Sequence, residues 1–313
     1  SGQYNIGGTS TPDVAIGAPE YDYPHNAQGI VAIFFDGGPD LGTPLGIDDA
    51  DVIVVGEANG DQAGFDVSFV PDMDDDGTAE LLVGAPFHDT AGTNAGASYL
   101  VPGSLILSSD EIDLDHVDVK LILSESGLDR AGSQVTPAGD WDGDGITELL
   151  IGATHWGGAY AGRVYVVNGD DVISAPSLVD LENADHIFQG ETGDDNAGAA
   201  VDGNFDADND GTPDILIGAP HSDEDGSGHA YVIFGRSLPG IGTIKLDEAD
   251  VIIECDTDKC DDDDVAQSLG ASVSGASDVD NDEMADVLIG IPNYKTSKKE
   301  AGAVALFFGS SLA

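Results

Sequence analysis

Short apolar runs rich in Val and Ile recur along this chain of 313 residues, separated by clusters of Gly, Asp and Asn. Runs of that length bounded by turn residues predict strands. One kind of run follows an acidic residue, as after Glu80, Glu148, Asp214 and Asp286. A second opens on glycine: Gly29–Phe35, Gly96–Val101, Gly162–Val167, Gly228–Phe234 and Gly302–Phe308. A third follows a Leu-Asp-x-Ala-Asp phrase seen around Asp51, Asp118, Asp185 and Asp250, and comprises Val52–Val55, Val119–Leu123, His186–Gln189 and Val251–Ile253. A leading run before the acidic residue makes a fourth. No window keeps a helical apolar period for three turns, so the pattern predicts an all-β chain.

The order of these runs repeats. The segment Ala63–Pro86 returns at Ala131–Thr154, Ala197–Pro220 and Leu269–Pro292, with a truncated copy at Pro12–Pro19. The acids Asp13, Glu80, Glu148, Asp214 and Asp286 lie 67, 68, 66 and 72 residues apart. Four-stranded units of fixed period mark propeller blades. The expectation is one β-propeller domain over 1–313, with about five blades at roughly 1–62, 63–130, 131–196, 197–268 and 269–313. The first unit lacks a clear leading strand and the last lacks an outer one. Tyr4–Ile6 could supply the missing strand and close a ring; open blade edges would instead favour self-assembly with a neighbouring chain.

Each full copy carries an alternating acidic loop. The acids are Asp72, Asp74, Asp76 and Glu80; Asp140, Asp142, Asp144 and Glu148; Asp206, Asp208, Asp210 and Asp214; Asp278, Asp280, Asp282 and Asp286. Acids at loop positions 1, 3, 5 and 9 place side-chain oxygens around one point, and the position-7 carbonyls of Thr78, Ile146, Thr212 and Met284 would complete a cage. Oxygen donors without His or Cys select Ca²⁺, giving three or four sites. Gly77, Gly145 and Gly211 at position 6 permit a sharp bend, and Glu283 stands there in the last copy. An EF-hand is excluded, because position 12 is Val83, Ile151, Ile217 or Ile289 inside a strand. The truncated copy holds Asn5, Gly7, Thr9 and Asp13, and has lost the ligand pattern.

Charge adds a second constraint. Against 60 Asp and Glu stand nine Lys and Arg, a formal net charge of −51 spread over every segment. Self-repulsion at that value is relieved by bound divalent cations and by molar salt, which shortens screening to roughly 3 Å, so the surface reads as halophilic. No basic stripe exists to neutralise phosphates, which argues against nucleic acid. No apolar stretch reaches the roughly 18 residues of a membrane span. Cys255 and Cys260 read as a small disulfide loop in an oxidising setting, with two free thiols as the alternative. The chain opens at Ser1 without a signal-like stretch, as a mature or trimmed form would.

The acidic loop, the apolar strand ending in Gly-Ala-Pro, and a closing Phe-Gly (Phe234-Gly235, Phe308-Gly309) together resemble the FG-GAP repeat of integrin α-type propellers. The resemblance implies calcium in the hairpin between the first two strands of a blade. It also implies an extracellular or cell-surface module meeting a protein or glycan ligand. No Gly-x-Ser-x-Gly elbow or phosphate loop is present, so a non-catalytic role is favoured. A structural subunit of a surface filament or virion, and the accessory domain of a secreted hydrolase or lyase, stay open. His88, His155 and His221 recur after the Gly-Ala-Pro position and read as repeated turn residues. Trp156, Tyr160, Tyr21 and Tyr23 are candidates for an aromatic contact surface.

Overall fold

The computed structural model describes residues 6, 11–22, 26–37, 46–124, 126–222, 227–235, 241–254, 268–296 and 299–313. Tyr4, Tyr23, Cys255 and Cys260, and with them the expected closing strand and disulfide, lie outside the described residues. The chain forms two compact units, residues 1–137 with 168–183, and 138–167 with 184–313.

The first unit contains two sheets. One runs in the order β1 (Val14–Ala18), β2 (Ile30–Phe34), β3 (Val52–Val55) and β7 (Glu111–Asp113). The other runs β4 (Val67–Val70), β5 (Glu80–Ala85), β6 (Ala97–Val101), β8 (Lys120–Leu123) and β12 (Leu178–Asp180). Two short helices follow Gly-led strands, α1 (Gly103–Leu107) and α2 (Gly169–Ser174), and the side chain of Asn168 caps the second by accepting from the Asp171 N–H at 3.2 Å.

The second unit holds the remaining sheets. The chain passes into it through β9 (Ala131–Gly139), which heads the order β9, β10 (Glu148–Ala153), β11 (Arg163–Val167), β13 (His186–Gln189) and β17 (Gly242–Lys245). Next come β14 (Ala200–Phe205), β15 (Asp214–Ala219), β16 (His229–Ile233) and β18 (Val251–Ile253). The last sheet has three strands among the described residues, β19 (Ser272–Gly275), β20 (Val287–Ile291) and β23 (Ala303–Phe307), beside a small hairpin of β21 (Lys295–Thr296) and β22 (Lys299–Glu300). Among the described residues the fold is thus all-β, with five main sheets of three to five strands, as expected of an FG-GAP β-propeller.

Why these strands are buried follows from their composition. β5, β10 and β15 are buried at every position. They lie mid-sheet and meet packing on both faces, which suits an uninterrupted apolar run. Tyr99, Tyr165 and Tyr231, one in each of β6, β11 and β16, are the largest fully buried side chains among the described residues. Successive sheets within a unit approach closely: a Cβ on Gly17 would sit 2.0 Å from the Gly64 carbonyl oxygen, so only glycine fits there.

The predicted four-stranded unit needs one correction. Three sheets gain an additional edge strand from the following repeat, in parallel: β7 on β3, β12 on β8 and β17 on β13. Each is only three or four residues long and immediately precedes the Leu-Asp phrase or its equivalent. An outer strand left bare would present unpaired N–H and C=O groups. The added strand satisfies them, as where Ile53 donates to the Asp110 carbonyl and Leu114 to that of Val55.

Candidate metal centres

Each acidic loop joins two antiparallel strands, so the loop ends are held at a fixed separation. The first side chain folds over the loop it opens. Asp72 accepts from the N–H of Asp76 at 3.1 Å and of Gly77 at 2.9 Å; Asp140, Asp206 and Asp278 do the same at Gly145, Gly211 and Glu283. Asp76, Asp144, Asp210 and Asp282 each accept from the N–H two residues on, at 2.7–3.0 Å. Such local turns wind the backbone so that the carboxylates converge. The sixth position is left-handed in every copy: φ is +90° at Gly77, +95° at Gly145, +89° at Gly211 and +74° at Glu283. The last loop therefore keeps the bend at a conformational cost glycine does not carry.

Ligand-capable oxygens approach within 4.8 Å of one another in four groups: Asp72, Asp74, Asp76 and Glu80; Asp140, Asp142 and Glu148; Asp206, Asp208 and Asp210; Asp278, Asp280 and Asp282. Thirteen of the sixteen predicted carboxylates are therefore gathered. Asp144, Asp214 and Asp286 stand outside these groups. The donors are hard oxygens throughout, which fits a divalent cation of the Ca²⁺ type.

The ninth-position acid has a further role that sequence spacing did not show. Its carboxylate accepts from the N–H of the second loop residue in all five copies: Ile6 to Asp13, Met73 to Glu80, Trp141 to Glu148, Ala207 to Asp214 and Val279 to Asp286. In three copies the other oxygen accepts a second N–H from beyond the Gly-led strand, namely Asp36, Gly235 and Gly309 at 2.9–3.1 Å. The acid thus ties the loop to the third strand of its own sheet. Asp13 keeps this tie although the acids of its loop are replaced, so the tie does not depend on an ion. In Glu80 the side chain is longer, and its Oε1 is buried without a hydrogen-bond partner. Burial, opposed by the Met73 N–H and reinforced by Asp74, Asp72 and Asp76, pushes Glu80 up to about 8. Burial likewise raises Asp214 to about 7. A carboxyl held this far above its ordinary range, among other carboxylates, is one a cation would return to its charged form.

Residues 63–101 and 131–167 match the family model described as FG-GAP repeat. These two stretches are FG-GAP repeats. The chain is also 30% identical over 176 residues to integrin alpha-5 of Xenopus laevis, covering 52% of this chain and 15% of that protein. It is 31% identical over 189 residues to the phosphatidylinositol-glycan-specific phospholipase D of Bos taurus (58% and 21%), and 26% identical over 281 residues to integrin alpha pat-2 of Caenorhabditis elegans (81% and 22%). The chain spans about a fifth or less of the length of these relatives.

Geometry explains the letters of the FG-GAP repeat. The glycine of Phe234-Gly235 donates to Asp214, and a Cβ there would lie 2.4 Å from the Pro213 carbonyl oxygen. Phe308-Gly309 repeats the arrangement on Asp286, with a Cβ 2.5 Å from Met284.

At the opposite end of the β5–β6 hairpin lies a polar group the sequence reading left as turn residues. His88 is buried, with Nε2 3.4 Å from Glu57 Oε2 and 3.9 Å from Asp61 Oδ2, and Tyr99 donates to Glu57 at 3.0 Å. Asp61 is 3% exposed and its Oδ2 has no hydrogen-bond partner. Burial lifts its carboxyl to about 6, with His88 opposing and Glu57 adding to the rise. The Tyr–Glu pair recurs as Tyr231 and Glu191 at 2.7 Å, with His229 at 3.0 Å from the same hydroxyl. The signal was present in the chain: Glu57 and Asp61, Glu125 and Asp129, Glu191 and Asp195 share the phrase Glu-x-x-x-Asp-x-Ala-Gly. His155 packs edge-on against Tyr160 at 4.6 Å, and His221 Nδ1 lies 2.9 Å from Asn196 Nδ2. Trp156 stacks under Arg163 at 3.3 Å, and Tyr160 and Tyr21 are exposed.

Proposed function

We propose that this chain is a non-catalytic, calcium-dependent β-propeller module, working outside the cell or at its surface in concentrated salt and presenting its loops to a protein or glycan ligand. In this reading the five repeats act as one domain. Asp72, Asp74, Asp76 and Glu80, with the Thr78 carbonyl, hold one ion. The loops at 140–148, 206–214 and 278–286 hold the others through their acids and the carbonyls of Ile146, Thr212 and Met284. The observation that carries the reading is the convergence of carboxylates in four loops in register, with Glu80 Oε1 of the first buried and lacking a hydrogen-bond partner. Similarity to integrin alpha chains supports a protein ligand and a surface location. Among the described residues no helix is long and apolar enough to cross a membrane.

Similarity to a phosphatidylinositol-glycan-specific phospholipase D favours a second reading, an accessory domain beside a separate catalytic one. Calorimetric titration with Ca²⁺ at multimolar NaCl tests the ion sites. Three or four sites are expected in the parent chain and one fewer in Asp74→Ala. No heat of binding, or an unchanged count in the variant, would remove the calcium assignment.

A further inference from the structure

Within each unit one sheet covers a broad face of the next, and the repeat register shows which strands meet. Val31 and Ile33 of β2 cluster with Leu81 and Val83 of β5, and Ala230 and Val232 of β16 with Val287 and Ile289 of β20. All eight side chains are 0% exposed. The first and last sheets each leave one such face bare. On β23, Val304 and Leu306 stand in the register of Ala230 and Val232, yet they are 71% and 40% exposed. Phe308, in the place of Phe234, is 39% exposed against 6%. On β1, Val14 and Ile16 stand in the register of Leu81 and Val83 and are 40% and 49% exposed. Glycine packing agrees. A Cβ on Gly218 of β15 would lie 2.0 Å from the Gly270 carbonyl oxygen at the entrance to β19. The atoms nearest a Cβ on its counterpart Gly290 all belong to Ser272 of the same sheet.

End repeats of a solitary array carry a polar outer face. Here Val304 and Leu306 pair with Gly290 and Leu288, and these with Ser272 and Ser274, so the three strands put no charged residue on that face. On the first sheet Val14 and Ile16 lie beside Phe34, Ala32 and Ile53, and acids (Glu111 and Asp113) come only on the outermost strand, β7. Charge appears at the turns flanking the two faces, with opposite signs. The hairpin after β20 carries Lys295 and Lys299, two of the nine basic residues, and the turn after β1 carries exposed Glu20 and Asp22.

We infer that the Val304–Leu306 face of one copy of this chain docks on the Val14–Ile16 face of a second copy, head to tail. The contact repeats the one already made inside each unit, the β2 or β16 position on the β5 or β20 position, and its turns set lysines against acids. Because the two faces differ, copies add in one direction. Apolar burial drives the contact, and concentrated salt screens the −51 charge that opposes it.

Sedimentation velocity of the full chain in multimolar NaCl with excess Ca²⁺, over a wide range of protein concentration, tests this. The parent is expected to grow beyond one chain as concentration rises. Val304→Asp on the last face and Ile16→Asp on the first are each expected to weaken self-association by about tenfold or more, with melting temperatures showing both variants folded. An equimolar mixture of the two decides the direction. Each variant keeps the face the other has lost, so the mixture is expected to form pairs of chains and stop there. A parent that stays monomeric at every concentration overturns the inference, and that reading stands even if a variant fails to fold. Association undiminished in both variants, or a mixture that stays as single chains, overturns it as well.

Discussion

The ninth-position acid of each loop shows how one residue serves two structural ends. Asp214 and Asp286 each accept two backbone N–H groups, from the loop and from the glycine after the third strand. Each oxygen retains a second lone pair that an ion can use. Their fixed spacing from the Asp-x-Asp-x-Asp run marks these acids as candidate ligands in the sequence, whereas the structure leaves Asp214 and Asp286 outside the converged groups. The sequence hid the tie to Gly235 and Gly309, because that contact joins residues more than twenty positions apart. Asp61 was hidden for another reason: its burial arises only when His88 and Glu57 fold against it. This residue supports a pH prediction. Its carboxyl is raised from 3.8 to about 6, so the folded state holds the proton more tightly than the unfolded chain. The stability gained from protonated Asp61 is present below about pH 4 and is lost as pH rises through 6. Asp61→Asn stays neutral and escapes that loss. At pH 7 it is expected to be more stable than the parent by on the order of 1–3 kcal/mol, the gap closing toward pH 4. Denaturant unfolding across that range measures it, and a gap that does not change with pH would contradict the burial argument.

At the scale of elements, the main strands were readable because they recur with a stable period and carry continuous Val and Ile runs. The parallel edge strands were not. Glu111–Asp113 and Leu178–Asp180 have three residues each, too few for alternation to register, and each ends on an acidic residue. Their partners belong to the preceding repeat, a long-range pairing that local pattern does not encode. One residue in such a strand nevertheless reaches the core: Ile112 is 2% exposed and packs with Val52, Val54 and Leu114. Ile112→Ala is therefore expected to cost about 2–4 kcal/mol, as deletion of a buried aliphatic side chain does. A urea midpoint within error of the parent's would show that β7 is a dispensable edge.

At the scale of the whole chain, charge governs the conditions under which the fold persists. Four Ca²⁺ ions would bring −51 only to about −43, so most of the acid excess must be screened by salt rather than by bound ions. With calcium saturating, transfer from multimolar to low salt is expected to lower the melting temperature and loosen the circular dichroism spectrum. Identical melts at the two salt concentrations would contradict the halophilic reading. Ions bound as proposed would act locally instead, where carboxylates converge in the four loops and burial raises Glu80 to about 8. A ligand that binds only the folded state raises stability by mass action, so removing it must lower the melting point. The most direct measurement is a thermal melt at one fixed multimolar NaCl concentration, with excess Ca²⁺ and then with excess chelator. A drop of several degrees on chelation, reversed by added Ca²⁺, is the predicted result. Superimposable melts would show that the acidic loops hold no ion that the fold depends on.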